Sequence, residues 1–224
     1  MNKFKYDTHI HTSEVSNCGK VPAKEMVRLY KNAGYSGVVV TDHYYKGYFE
    51  RLKAGSWNEK VDRYLEGYRI AQNEGDKLGL RIIAGMEITF PENMNDYLVY
   101  GIDEKFLKEN KELYHLGLEG FRKLLEGRDI LLFQAHPFRQ HMTRALPELL
   151  DGVEVYNGNP RHDSRNPLAL EYAEKNGLRM LSGSDFHQRE DLARGGIIVA
   201  EEINSSAQLV DLIRNGRILE LIRS

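Results

Sequence analysis

Only one cysteine, Cys18, occurs in 224 residues, which excludes an internal disulfide framework and fits a reducing compartment. Long apolar runs are missing too. The longest, GVVV at 37–40 and DILLF at 129–133, fall far short of the roughly 20 residues a membrane-spanning helix needs. The opening MNKFKYDTHIH has no apolar h-region of the secretory type and reads as a strand. Neither charge sign dominates: 31 Lys and Arg against 33 Asp and Glu give a formal charge of -2. No global attraction to nucleic acid or acidic membranes follows from that balance. No G-x-G-x-x-G follows the first strand, so a dinucleotide-binding sheet lacks its main support. Repeats, low-complexity tracts and interdomain linkers are absent as well. These absences predict a soluble, cytoplasmic protein with no membrane partner, folded as one domain over 1–224. Its 41% apolar residues suffice for a full core.

Short β-type runs alternate with longer helical patterns. KFKYDTHI is followed by PAKEMVRLYKNAG, where Pro22 suits a first helical turn and Gly34 a stop. GVVVTDH leads through an irregular aromatic stretch to the helical NEKVDRYLEGYRIAQNEGDKLG. LRIIAGMEITF and DYLVYGI read as strands, KELYHLGLEGFRKLLEG as a helix, and DILLFQAH as the next strand. GVEVYN, SRNPLALEYAEKNG, LRMLSGSDFH, GGIIVA and SAQLVDLIRNG complete the alternation. Runs that are apolar on both faces, as at 38–40 and 130–133, predict strands covered by layers on either side. Strand, helix, strand with short connectors predicts a parallel α/β fold, and about seven such units predict a barrel or barrel-like closed sheet. An open doubly wound sheet is the competing architecture.

The histidines are not scattered. In DTHIHT, His9 and His11 share one face of a strand because side chains alternate. His43 closes GVVVTDH, Glu87 lies near the end of LRIIAGMEI, His136 closes DILLFQAH, and Asp185 with His187 closes LRMLSGSDFH. Each stands at the C-terminal end of a predicted strand, where a β/α barrel carries its active site. A lone histidine at a strand end is ordinarily structural. Five such endings that include H-x-H and D-x-H pairs instead point to one convergent site. Nitrogen and oxygen donors without a thiolate cluster suit Zn, Mn or Fe and argue against a closed structural zinc site. The set exceeds what one ion needs, so two or three divalent ions are expected, with Glu87 as the natural bridging carboxylate. Their unneutralised charge would favour an anionic substrate. His115, His141 and His162 fall away from strand ends.

DTHIHT, VTDHY, GMEI, QAHPF and GSDFH, in this order, resemble the motifs of the PHP (polymerase and histidinol phosphatase) family, from Asp7 to His187. The resemblance implies a distorted (β/α)7 barrel, similar to a TIM barrel, with a two- or three-metal centre that hydrolyses phosphoesters. Carried across by motif, His9, His11, Glu87 and Asp185 would form a first metal site. Glu87 would bridge to a second ion that also binds His136, and His43 and His187 would serve a third. Asp7 and Asp42 match positions that orient a neighbouring ligand histidine. The family usually supplies another His or Asp after the H-x-H pair, where this chain has SEVSNCG. Glu14, Asn17 and Cys18 are the candidates there, and Asp103, in YGIDE, is a candidate for the second ion.

Three loops leave the same rim, and they are rich in Arg, His and aromatic residues. Arg139, Arg144, Arg161 and Arg165 are candidate phosphate-binding residues, because a guanidinium fork matches phosphate oxygens. Tyr44, Tyr45, Tyr48, Phe49 and Trp57 form either a lid over the site or packing that holds their loop on the barrel. The expected activity is hydrolysis of a small phosphorylated substrate, a phosphomonoester or nucleotide, by a metal-bound hydroxide, with Asp185 and His187 as catalytic residues. Nucleic acid would enter only as a nucleotide or short oligonucleotide. A metal-dependent amidohydrolase is a second reading, although no lysine stands at a strand end to bridge metals as that class usually requires. A non-catalytic metal-binding accessory domain is a third.

Overall fold

The computed structural model describes residues 3–53 and 55–224. The first half comprises β1 (Phe4–Ile10), α1 (Ala23–Asn32), β2 (Gly37–Val40), β3 (His43–Tyr44), α2 (Lys46–Arg51), α3 (Trp57–Tyr64) and α4 (Glu66–Leu78). The chain continues through β4 (Arg81–Thr89), β5 (Asp96–Tyr100), α5 (Glu104–Glu109), α6 (Gly117–Leu125), β6 (Leu131–Gln134) and β7 (Gly152–Asn157). It ends with α7 (Asn166–Asn176), β8 (Arg179–Gly183), β9 (Gly195–Val199), α8 (Ser206–Arg214) and β10 (Ile218–Arg223). One 10-stranded sheet runs in the order β10-β9-β1-β2-β4-β5-β6-β7-β8, with β3 paired to β4 off that path. A parallel bridge between Ile10 and Phe186 joins the end of β1 to the turn after β8. There His11 N–H donates to Phe186 O at 3.0 Å and Phe186 N–H to His9 O at 3.2 Å. The sheet thereby curls into a nearly closed, distorted barrel, as expected.

The sheet is mixed rather than wholly parallel. β5 is antiparallel to both β4 and β6, and β9 is antiparallel to both β1 and β10. Residues 90–95 alone connect β4 to β5, too few for a parallel crossover, so the chain returns as a hairpin. The long helical pattern after the aromatic stretch breaks at Leu65 into α3 and α4, and α3 opens with a reciprocal Ser56–Glu59 capping box. β10 is absent from the sequence reading because its residues are mostly exposed or half-buried, which blurs the strand pattern.

Alternation along the strands separates two apolar layers. Tyr6, Val39, Ile83, Leu98, Phe133, Leu181 and Ile197 pack together with Leu209, Val210, Leu212 and Ile213 of α8, filling the lower barrel. Their neighbours Val38 and Val40 pack outward on Met26, Val27 and Tyr30 of α1, and an irregularity in β1 between Asp7 and Ile10 turns Ile10, of the same parity as Tyr6, to that outer layer. Two steps up from Ile83 comes Gly85 and two more bring Glu87, so the inward face turns from apolar to polar toward one rim. Gly183 permits the closure at that rim, since a Cβ there would lie 2.4 Å from the His9 Cβ.

Candidate metal centre

Every side chain predicted at a strand end reaches this rim. Glu87 Oε1 lies 3.2 Å from His9 Nε2 and 3.3 Å from His136 Nε2. Its Oε2 lies 3.3 Å from His11 Nε2 and 2.8 Å from His43 Nδ1. Asp185 Oδ1 stands 3.5 Å from the Nε2 atoms of both His9 and His11. Donor atoms of His9, His11 and Asp185 lie within 4.8 Å of one another, as do those of His9, Glu87 and His136. The same holds for His11, His43 and His187, and for His43, Glu87 and Asp96. His136 and Asp185 both follow strand ends with positive φ, 29° and 51°. Such backbone costs a non-glycine residue about 1–3 kcal/mol and concentrates at functional sites.

Several buried polar atoms of these side chains are not satisfied by protein. His9 Nε2, His11 Nε2, both Glu87 carboxylate oxygens and His136 Nδ1 are buried without a hydrogen-bond partner. A buried polar atom left unpaired costs about 1–3 kcal/mol, so this concentration is the mark of a group that the side chains alone do not supply. Imidazole lone pairs and carboxylate oxygens are all donors to cations, and a divalent metal ion fits them.

Surrounding groups fix which ring nitrogen is free. His9 Nδ1 lies 2.9 Å from Glu154 Oε1. Since a carboxylate only accepts, Nδ1 carries the proton of the neutral ring, and Nε2 is then the nitrogen that turns a lone pair toward Glu87. Glu154 Oε2 accepts from His136 N–H at 3.0 Å and from Asn157 Nδ2 at 2.9 Å. Ser16 Oγ donates to Asp42 Oδ1 at 2.7 Å and accepts from His43 N–H at 3.1 Å. Having spent its proton, the same oxygen accepts from His11 Nδ1 at 3.2 Å, which frees His11 Nε2. His187 Nδ1 donates to the Asp185 carbonyl at 2.8 Å.

Electrostatics follow from this packing. Burial works against ionisation of Glu87 and Asp185, yet His9 beside both, with His43 at Glu87 and Arg139 at Asp185, holds both carboxyls well below the usual range. Burial also opposes charge on His9, but Glu154, Glu87 and Asp185 together push its pKa well above normal. His11 moves the other way, lowered by burial and by the neighbouring His187 and His43. Partial burial opposes ionisation of Cys18, while the adjacent His187 and His43 outweigh it and bring the thiol down to about 6. Burial raises Asp42 and Asp7 to about 6.

The remaining predicted residues are distributed differently. Asp7 touches no ligand ring and instead accepts from His9 N–H, Ser184 N–H and the Tyr30 hydroxyl. Asp42 reaches His11 and His43 through Ser16. Glu14 accepts from Ala23 N–H at the start of α1, and Asn17 is exposed, so neither joins the cluster. Asp103 is exposed and caps α5 by accepting from Phe106 N–H at 2.7 Å. Because β5 runs antiparallel, its end lies at the opposite rim and its first residue, Asp96, meets His43 and Glu87 instead. Of the four arginines, Arg139 reaches the centre, donating to Asp185 Oδ2 at 2.7 Å and Asn157 Oδ1 at 2.9 Å. Arg144 stacks on Phe138, Arg161 pairs with Asp191, and Arg165 lies exposed beside Asp163. Tyr44, Tyr48 and Phe49 are buried with Trp57 and Tyr64 in one aromatic cluster, so they hold the loop down, and Tyr45 alone turns toward His43. Sequence reasoning missed Asp96, Ser16 and the role of Glu154. Glu154 was legible as the polar residue between Val153 and Val155, which makes it point inward where they point outward.

A family model described as PHP-associated matches residues 163–218. A search of curated proteins gave no match. Among solved structures, one similar chain is a two-domain Bacteroides vulgatus protein containing a predicted PHP-like metal-dependent phosphoesterase. It has 18% identity and a TM-score of 0.66, over 97% of this chain and 64% of that one. PsfC from Pseudomonas syringae matches at 19% identity and TM-score 0.65, over 93% of this chain and 87% of its own. An amidohydrolase from Chromobacterium violaceum, with sulfate bound and no metal, matches at 18% identity and TM-score 0.55, over 96% and 97%. At these identities the structural likeness establishes the fold. No helix among the described residues is long and apolar enough to cross a membrane.

Proposed function

We propose, from the PHP-family membership that these matches support, that the chain is a single-domain cytoplasmic phosphoesterase. Its substrate would be small, a phosphomonoester or nucleotide, with a short oligonucleotide as the upper limit. One observation carries the reading: Glu87 is wholly buried, both its oxygens lack partners, and each faces two imidazoles. His9, His11, Glu87 and Asp185 would hold one divalent ion. Glu87 and His136, with Asp96 nearby, would hold a second, and His43 and His187 a third. Zn, Mn and Fe suit these donors. Bound ions would supply Lewis-acid polarisation of a phosphoryl oxygen and lower the pKa of water.

The chain's own groups define the rest. Arg139 is fixed by Asp185, Asn157 and Ser164, and its guanidinium places fixed positive charge beside the centre, suited to a phosphate. Asp185, held between His9, His11 and Arg139, stays ionised and acts as a ligand. His187 has Nδ1 engaged by a carbonyl, which leaves Nε2 for an ion or a leaving-group oxygen. The amidohydrolase neighbour keeps a second hydrolytic class in view, but no described lysine is buried in this chain. The bridging place belongs to Glu87, and the cation at Arg139 favours an anionic substrate over an amide. Metal-loaded wild type and the His9→Ala and Asp185→Ala variants should be assayed on matched panels of phosphoesters and amides. Phosphoester hydrolysis lost in both variants is expected. A loaded wild type that cleaves amides only, or nothing, would overturn the assignment.

A further inference from the structure

We propose that Asp191 and Arg161 are positioning residues, which together fix His187 for the third ion, the one it shares with His43. The proposal rests on the metal-centre reading and gives Arg161 a part other than binding phosphate. His187 needs such support. β8 ends at Gly183, so the ring rides on the turn that leads to β9, and Asp185 in that turn has a φ of 51°. Yet ring nitrogens of His11, His43 and His187 lie within 4.8 Å of one another, an arrangement that a small displacement of the turn would lose.

Asp191 is wholly buried, which is rare for a carboxylate unless it is paired. Its Oδ2 accepts from His187 N–H at 2.8 Å and from Gln188 N–H at 2.9 Å, and its Oδ1 accepts from Arg161 Nη1. The His187 carbonyl in turn accepts from Lys20 N–H at 2.7 Å, so the backbone is held on both sides of the ligand. The ring is held as well. The Asp185 carbonyl that accepts from His187 Nδ1 at 2.8 Å also accepts from Asn159 Nδ2 at 3.0 Å. Asn159 Oδ1 accepts from Arg161 N–H at 3.1 Å. The loop after β7 therefore grips the turn after β8 twice, through Asn159 at the ring and through Arg161 and Asp191 at the backbone. A carboxylate serving only to cap the turn would have no need of a guanidinium from another loop.

A double-mutant cycle on the full chain, read by chelator-competition titration of zinc, tests this without any activity assay. Asp191→Asn keeps one acceptor oxygen for the two backbone N–H groups and turns an NH2 toward Arg161. Arg161→Ala removes the same pair from its surface end and leaves the buried carboxylate in place. Each should weaken the third ion by about tenfold or more, leave the ions at Glu87 unchanged, and Arg161→Lys should recover part of the loss. In a His187→Ala background the same substitutions should have no further effect on zinc affinity. Unchanged affinity for the third ion, an equal loss at every ion, or an equal loss with and without His187 would overturn the inference and leave the phosphoesterase reading standing. So would a zinc stoichiometry that His187→Ala does not lower. A wild type that binds no zinc at all would overturn both.

Discussion

Replacing Glu154 by glutamine changes a single donor–acceptor relation at the centre. The Glu154 carboxylate is buried and accepts three hydrogen bonds, one from His9 Nδ1 and two on Oε2 from His136 N–H and Asn157 Nδ2. A glutamine of the same shape has only one acceptor oxygen. Satisfying the two donors at the Oε2 position turns its NH2 toward His9 Nδ1. That ring must then carry its proton on Nε2, the atom facing Glu87, and loses the lone pair a metal needs. Such disruption of a partner behind a ligand histidine typically lowers metal affinity 10–100-fold, or about 1.4–2.8 kcal/mol. Chelator-competition titration of zinc into wild type and Glu154→Gln measures it, with circular dichroism confirming an intact fold. Glu154→Asp, which keeps an acceptor-only carboxylate, should fall between them. Equal affinities for wild type and Glu154→Gln would refute the assignment of the His9 proton.

Three further outcomes are expected. Arg139→Ala should lower kcat/KM for a phosphomonoester by about 10²-fold or more, the loss typical of removing one donor to a developing oxyanion. Arg139→Lys should restore part of it, and an unchanged kcat/KM would remove Arg139 from substrate binding. Phe49→Ala should destabilise the fold by about 3–5 kcal/mol, a Tm decrease of roughly 6–20 °C for a chain of this size. Unchanged Tm with altered substrate preference would instead mean that the aromatic loop is a lid. Metal affinity should rise with pH. Burial opposes a proton on His9, but Glu154, Glu87 and Asp185 hold it on to above the usual histidine range, so an entering cation must displace it. Below that raised pKa, each displaced proton should steepen the gain by about tenfold per pH unit. Calorimetry at several pH values checks this, and affinity falling with pH would contradict the sign.

The donors that the sequence revealed are those whose position follows from one rule, that polar residues closing apolar strands gather at one rim. His9, His11, His43, Glu87, His136, Asp185 and His187 all obey it. Asp96 escaped because it begins its strand. The six residues at 90–95 carried the signal, since a gap that short forces a hairpin and brings the start of the second strand, not Asp103 beyond its end, to the rim. Glu154 was hidden by its setting in an ordinary strand, and its role depends on β8 and β1 closing around Gly183. The arginines show what composition cannot separate. Four lie in rim loops, but only Arg139 has Asp185, Asn157 and Ser164 to hold it inward, while Arg144 stacks on Phe138, Arg161 pairs with the buried Asp191 and Arg165 lies exposed beside Asp163. Likewise, the aromatic residues after His43 read equally as lid or packing until α2 and α3 fold them against Tyr64 and Tyr114.

Anomalous diffraction from crystals of the zinc-loaded protein would show whether the unpartnered atoms around Glu87 form a divalent-metal centre. At least two peaks flanking Glu87 are expected, one at each carboxylate oxygen, with imidazole nitrogens at about 2.0–2.1 Å. A zinc-loaded crystal with no anomalous peak within reach of Glu87, His9 and His136 would contradict it.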